Sequence, residues 1–138
     1  MMGFEKDGVI SVWMGDFPSE GAAEEYLREQ YDSDEAPLSQ FAADFDIPWY
    51  DHDFLESYHT SSGTHTIREM LSGFSYSTSY IDFVVNRADE LGCHQSNTVV
   101  LLLDFAYQPG AARSTSPLLF VGTFAYDATA SAAEDPSR

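Results

Sequence analysis

Along residues 9–15, VISVWMG, apolar positions repeat with a period of two. Ile10, Val12 and Met14 fall on one face, and Val9 and Trp13 flank Ser11 on the other. The pattern predicts a β-strand covered on both faces. Pro18 and Ser19 then open a helix, with Ser19 as N-cap and Glu20 favourable to the N-terminal dipole. Ala22, Ala23, Tyr26 and Leu27 form its inward stripe, and it is expected to end near Tyr31, where DSD begins a loop. Leu38, Phe41, Ala42 and Phe45 have the spacing of a second, short helix over 38–45, stopped by Pro48. Residues 50–59 fit a short helix or an irregular strand, 60–66 read as a loop, and Ile67 to Leu71 fit a helical turn or a short strand.

The strongest helical signal is SYIDFVVNRADELG, 79–92. Ile81, Val84, Val85, Ala88 and Leu91 keep one apolar stripe, Ser79 and Asp82 resemble a capping box, and Gly92 supplies a left-handed stop. Residues 98–107 and 117–126 are apolar enough for strands buried on both faces, and QPGAARSTS between them suits a hairpin loop. The expected architecture is a single α+β domain over residues 1–126, an antiparallel sheet with helices packed on it. The small, acidic segment DATASAAEDPSR, 127–138, offers nothing to bury and is expected to be a disordered tail.

Charge changes this picture. The chain has 138 residues, with 23 acids against 6 bases and a formal charge of −17. Such a field repels nucleic acid and anionic lipid and attracts basic partners. The longest apolar run, VVLLL at 99–103, is far short of the roughly 20 residues that span a bilayer, so no membrane partner is expected. The first fifteen residues lack the pattern of a secretory leader. A lone cysteine, Cys93, forms no internal disulfide, which favours a reducing compartment; the expectation is a soluble cytoplasmic protein.

The charge concentrates in DFDIPWYDHDFLESYH, 44–59, where five carboxylates, two histidines and five aromatic rings occupy sixteen positions. Between Arg28 and Arg68 there is no Lys or Arg, and nine acids fall there. Three readings compete. For catalysis, Cys93 lies just past a helix C-terminus, where the dipole disfavours a thiolate, and neither a G-x-S-x-G elbow nor a phosphate-binding glycine loop occurs. For metal, Asp51, His52, Asp53, Glu56 and His59 are possible ligands, and a helix would align His52, Glu56 and His59. The H-E-x-x-H and EF-hand spacings are nonetheless missing. No metal, no cofactor and no catalytic residue is therefore assigned, and the chain is not expected to be an enzyme. The third reading is docking: Asp44, Asp46, Trp49, Tyr50, Asp51, Asp53 and Glu56 interleave rings that supply contact area with charges that steer encounter.

Several blocks together resemble the bacterial Immunity protein 22 family: ISVWMGDFPSEGAAEEYL (10–27), SQFAADFDIPWYDHDFLE (39–56), LSGFSYSTSYID (71–82) and PLLFVGTFAY (117–126). The resemblance implies a small α+β protein of a polymorphic toxin system that binds and neutralises a cognate toxin, without catalytic residues. Trp13, Gly15 and Phe17 of its W-x-G-x-F entry have a structural explanation as a buried strand end, with Gly allowing the turn toward the helix. An acidic inhibitor suits a toxin domain with a basic surface. The competing class is an acidic secretion or effector chaperone, distinguished by holding a disordered peptide instead of a folded domain.

Overall fold

The computed structural model describes residues 4–31, 37–109 and 116–133. The first strand, β1 (Glu5–Gly15), lies between β5 (Thr98–Phe105) and β6 (Leu118–Ala125), and β2 (Leu55–His59) pairs with the far side of β5. The order β2-β5-β1-β6 is antiparallel throughout. Side-chain alternation divides the core in two. Trp13, Val100 and Leu102 face α1 (Glu20–Leu27) and α2 (Gln40–Asp44). Ile10, Val12, Met14, Val99 and Leu101 face α3 (Ile67–Leu71) and α4 (Ile81–Glu90). The α+β architecture and the doubly covered first strand are as the periodicity predicts.

The expected hairpin between the last two strands does not form. Both β5 and β6 run antiparallel to β1 and so lie parallel to each other, with β1 between them. Joining parallel strands takes a crossover of a dozen residues or more, and residues 106–117 supply that length. Ser11 anchors its start. Fully buried on the Trp13 face, its hydroxyl donates to the Phe105 carbonyl (2.7 Å) and accepts from the Tyr107 amide (2.9 Å). Tyr107 then packs on Trp13 and Phe120, with ring centroids 5.4 and 4.8 Å apart.

Helix boundaries shift for local reasons. Ser19 caps α1 as expected, but the helix ends at Leu27, because Arg28 is extended and the Gln30 amide donates to the Leu38 carbonyl at 2.7 Å. The segment after Pro48 resolves into a 3₁₀ turn, His52–Phe54, and then β2. Inside the expected loop, β3 (His65–Thr66) pairs with β4 (Gln95–Ser96). The capping box belongs to α3, where the Thr66 and Glu69 side chains each bond the other's amide. Ser79 and Asp82 do not form one: Ser79 donates to the Tyr76 carbonyl, and Asp82 pairs with Arg68 at 2.6 Å. Gly92 does take the left-handed conformation, at φ +80°, while Leu91 at the end of the stripe is exposed.

Residues 127–133, expected to hold nothing, lie against the turn before α4. The Ser131 carbonyl accepts from the Thr78 amide, and Ala133 exchanges bonds with the Gly73 amide and the Ser77 hydroxyl. Backbone groups make these contacts, so a composition of small residues is no obstacle to them. The remainder of the expected tail, 134–138, lies outside the described residues.

Candidate functional site

The acidic stretch starts on α2. Ser39 caps that helix by accepting from the Ala42 amide at 3.0 Å, and Phe41, Ala42 and Phe45 point into the aromatic core. It ends in a Schellman arrangement: Ile47 donates to the Ala42 carbonyl (2.8 Å) and Asp46 to the Ala43 carbonyl (3.3 Å). Closing that turn puts Asp46 at φ +57°, a place glycine usually takes and short polar side chains tolerate. Asp46 is thereby exposed at the corner. Asp44 is half-buried with both oxygens engaged, by the Tyr26 hydroxyl and the Gln40 amide, each at 2.8 Å. Burial raises the Tyr26 phenol above its ordinary range, and the Asp44 bond and charge add to that.

Beyond Pro48 the chain exposes Trp49 (53%) and Phe54 (42%). These rings and Asp51 border a hollow of about 230 Å³ over the end of β5, with Glu5 and Asp104 on its rim. Asp51 caps the 3₁₀ turn by accepting from the Asp53 amide at 3.0 Å, leaving Asp53 exposed. Three of the seven docking candidates drop out: Asp44, whose oxygens are both engaged, and two that lie elsewhere. Tyr50 is 1% exposed, stacked edge-on against Phe41 with its hydroxyl 3.2 Å from Ser39 Oγ, so it is a core residue. Glu56 points to the opposite face of the sheet, where it accepts from the Ser75 amide at 3.0 Å. The surface that remains is Asp46, Trp49, Asp51, Phe54 and Asp53. Phe54, outside the seven, belongs to it because the 3₁₀ turn rotates its ring outward.

Sequence reasoning passed over Glu29. Its side chain is only 8% exposed and gathers His52 Nδ1 at 2.7 Å and the Tyr31 hydroxyl at 2.7 Å. Burial pushes the Glu29 carboxyl up, but the bonds from His52 and Tyr31 outweigh it and hold the carboxyl below its ordinary value. The hydrogen bond to Glu29 and its charge raise His52. A carboxylate orienting a histidine is half of a general-base arrangement. Among the described residues, however, no nucleophile is bonded to the ring's other nitrogen, and the pair ties the end of α1 to the 3₁₀ turn. No local pattern marks Glu29, which comes from a loop 23 positions before its partner.

The other candidates for chemistry scatter. His52 stands on the 3₁₀ turn, while Glu56 and His59 lie on β2, so the helical alignment of the three is not made. His59 Nδ1 bonds the Thr98 hydroxyl instead, at 2.9 Å. Among the described residues no group of three His, Cys, Asp or Glu is placed to hold a metal ion. Burial raises the Cys93 thiol, and Asp16 adds to that, while His94 turns away to Asp89 at 3.0 Å.

The entry motif is structural. Trp13 is fully buried among Phe41, Phe45, Tyr107 and Phe120, and its indole N–H finds no acceptor among the described residues. Gly15 is required by a close approach, since a Cβ there would sit 2.2 Å from the Pro117 carbonyl. The expected turn is not the reason. Phe17 is buried, and the Asn97 side chain holds its amide and carbonyl at 2.9 and 2.8 Å.

The family model described as Immunity protein 22 matches residues 10–127 of the chain. No curated protein and no solved structure matches it.

Proposed function

The chain belongs to the Immunity protein 22 family, and from that premise we propose that it binds and neutralises a cognate toxin of a bacterial polymorphic toxin system. The docking surface is the acidic rim of Asp46, Asp51 and Asp53 around Trp49 and Phe54. The observation that carries this reading is the pair of large rings left in solvent within a stretch holding no Lys or Arg. Exposed Trp and Phe supply area at the centre of an interface, and the surrounding carboxylates steer a basic partner toward it. Neutralisation works by occupancy. An acidic protein seated in a basic cleft blocks the substrate path without chemistry of its own, in the cytoplasm of the cell it protects.

The decisive experiment is co-expression with the toxin encoded beside it, with growth as the readout. Rescue is the expected result. A protein that fails to protect, yet holds an unfolded effector segment, would be a secretion chaperone. On the purified pair, Trp49→Ala should weaken binding at least tenfold while the free variant melts like the parent. Asp46→Asn, Asp51→Asn and Asp53→Asn should lower the on-rate. Any of the three that faces a buried Arg or Lys would cost about 2–5 kcal/mol. A tenfold rise in salt should act mainly on association, because the Debye length is already about 8 Å near 0.15 M. Unchanged affinity in all four variants would place the toxin on another surface.

A further inference from the structure

We propose that the free edge of β2 takes up an extended, basic segment of the partner protein as an added strand of the sheet. The inference rests on the toxin-binding reading for the identity of the partner. The edge itself is a separate surface from the Trp49 rim.

The Thr60 amide donates to the Asn97 carbonyl at 2.9 Å, and the ladder continues as Tyr58↔Val99, Ser57↔Val100 and Glu56↔Leu101. Bonded and non-bonded pairs alternate in an antiparallel ladder. Glu56 and Tyr58 therefore turn their main-chain groups to β5, and Ser57 and His59 turn theirs away from the sheet. Among the described residues no loop, turn or cap outside the β2–β5 ladder bonds the Ser57 or His59 amide. β6, the opposite edge, is interrupted by a register shift across from Val12 and Trp13, a feature that hinders edge pairing. β2 has no such break across its five residues.

Successive side chains of an added strand would point to opposite faces, and a cleft waits on each. One, of about 470 Å³, lies between β2 and α1, with the exposed Glu20 and Glu24 beside Leu27. The other, of about 440 Å³, lies between β2 and α3, with Glu56 and Glu69 around Tyr58 and Phe74. Apolar floors with carboxylate rims fit Lys and Arg, whose stems pack while the heads reach the acids. The one arginine lining either cleft, Arg28, is already paired with Glu25 at 2.8 Å. The same charge opposes a second copy of this chain, which would bring −17 against the same carboxylates. Strand addition of this kind takes affinity from main-chain bonds and specificity from alternate pockets.

Ser57→Pro is the sharpest test. Its amide points outward, so proline removes the docking donor and leaves the β5 ladder intact; Ser57→Ala keeps the amide and serves as control. The probe is a fluorescent nine-residue peptide of Lys, Arg, Thr and Val, titrated to about 1 mM, where even millimolar affinity is visible. Expected are saturable binding to the parent and to Ser57→Ala, at least tenfold weaker binding to Ser57→Pro, and slowed hydrogen exchange at the Ser57 and His59 amides. Absence of binding, or full binding to a Ser57→Pro protein that melts like the parent, overturns the proposal. Should Ser57→Pro not fold, exchange on the parent decides: protection elsewhere than Ser57 and His59 is equally fatal. A parent dimer in sedimentation that Ser57→Pro dissolves would assign the edge to a second copy, also against the proposal. With the toxin itself, rescue that survives in Ser57→Pro sinks the edge alone. Rescue absent even with the parent sinks the toxin reading and leaves the peptide result to judge the edge.

Discussion

The two faces of the central strand are built from different chemistry. Toward α1 and α2 the core is aromatic: Trp13, Phe41, Phe45, Tyr50, Tyr107 and Phe120 meet at centroid distances of 4.8–5.8 Å. Toward α3 and α4 it is largely aliphatic, made by Ile10, Val12, Met14, Met70, Leu71, Val84 and Leu101. The consequence lies at the rim. A phenol lets the aromatic core reach outward and hold a carboxylate: the buried Tyr26 grips Asp44 at 2.8 Å. On the aliphatic side the buried Tyr80 donates to a backbone carbonyl, that of Ser75, and the half-buried Tyr126 at the edge of the cluster donates to Asp104 at 2.7 Å. Among the described residues, a buried phenol thus ties packing to the acidic surface on the first face, and a half-buried one at the cluster's edge does so on the second.

The largest test of that contrast is truncation on each side. Trp13→Ala should cost about 3–5 kcal/mol in urea unfolding, and Leu101→Ala about 2–5 kcal/mol. The distinguishing readout is hydrogen exchange over residues 44–54, which should quicken in the first variant well beyond the effect of its lowered stability and not in the second. Equal behaviour would break the comparison.

A smaller effect comes from the hydroxyls. Tyr50→Phe leaves the buried Ser39 short of a partner and should cost about 1–3 kcal/mol. It should also loosen the His52 turn, visible as a changed histidine titration by NMR. Tyr80→Phe, which frees only a carbonyl, should cost about 1 kcal/mol and leave that titration where it was.

Asp46→Gly separates fold from surface. Glycine accepts the left-handed corner without the Cβ conflict, so stability should rise by about 1 kcal/mol in thermal melts. Toxin association should slow in the same protein, because a rim charge is gone. A destabilised variant would mean that the Asp46 side chain contributes to the turn itself.

The smallest effect is the pH dependence of the Glu29–His52 link. The folded Glu29 value is depressed, so its contribution is present above pH 4.5 and lost as pH falls through the folded value. The folded His52 value is raised, so its contribution is complete below pH 6.5 and lost as pH rises through the folded value. Stabilisation by the pair is full between those limits and fades on either side. His52 is 68% exposed, which limits the effect to a few tenths of a kcal/mol. His52→Gln should flatten that shallow maximum in a pH series of melts, and an unaltered profile would remove the pair from the account.

Local pattern by itself determined the strand at Val9–Gly15 with its two covered faces, the cap at Ser19, the apolar stripe of α2 and the stop at Gly92. Each depends on residues within a turn or two of one another, where spacing alone decides which side chains share a face. Tertiary structure decided that β1 separates β5 from β6, because periodicity says which face a residue occupies and nothing about which strand lies beside it. It also sorted the acidic stretch: composition cannot tell Tyr50, drawn inward by Phe41 and Ser39, from Trp49 one position earlier, which stays in solvent. Glu29 and the open edge of β2 were hidden for the same reason. The first is made by partners from distant segments, and the second by the absence of a neighbour among the described residues, which only the assembled sheet reveals.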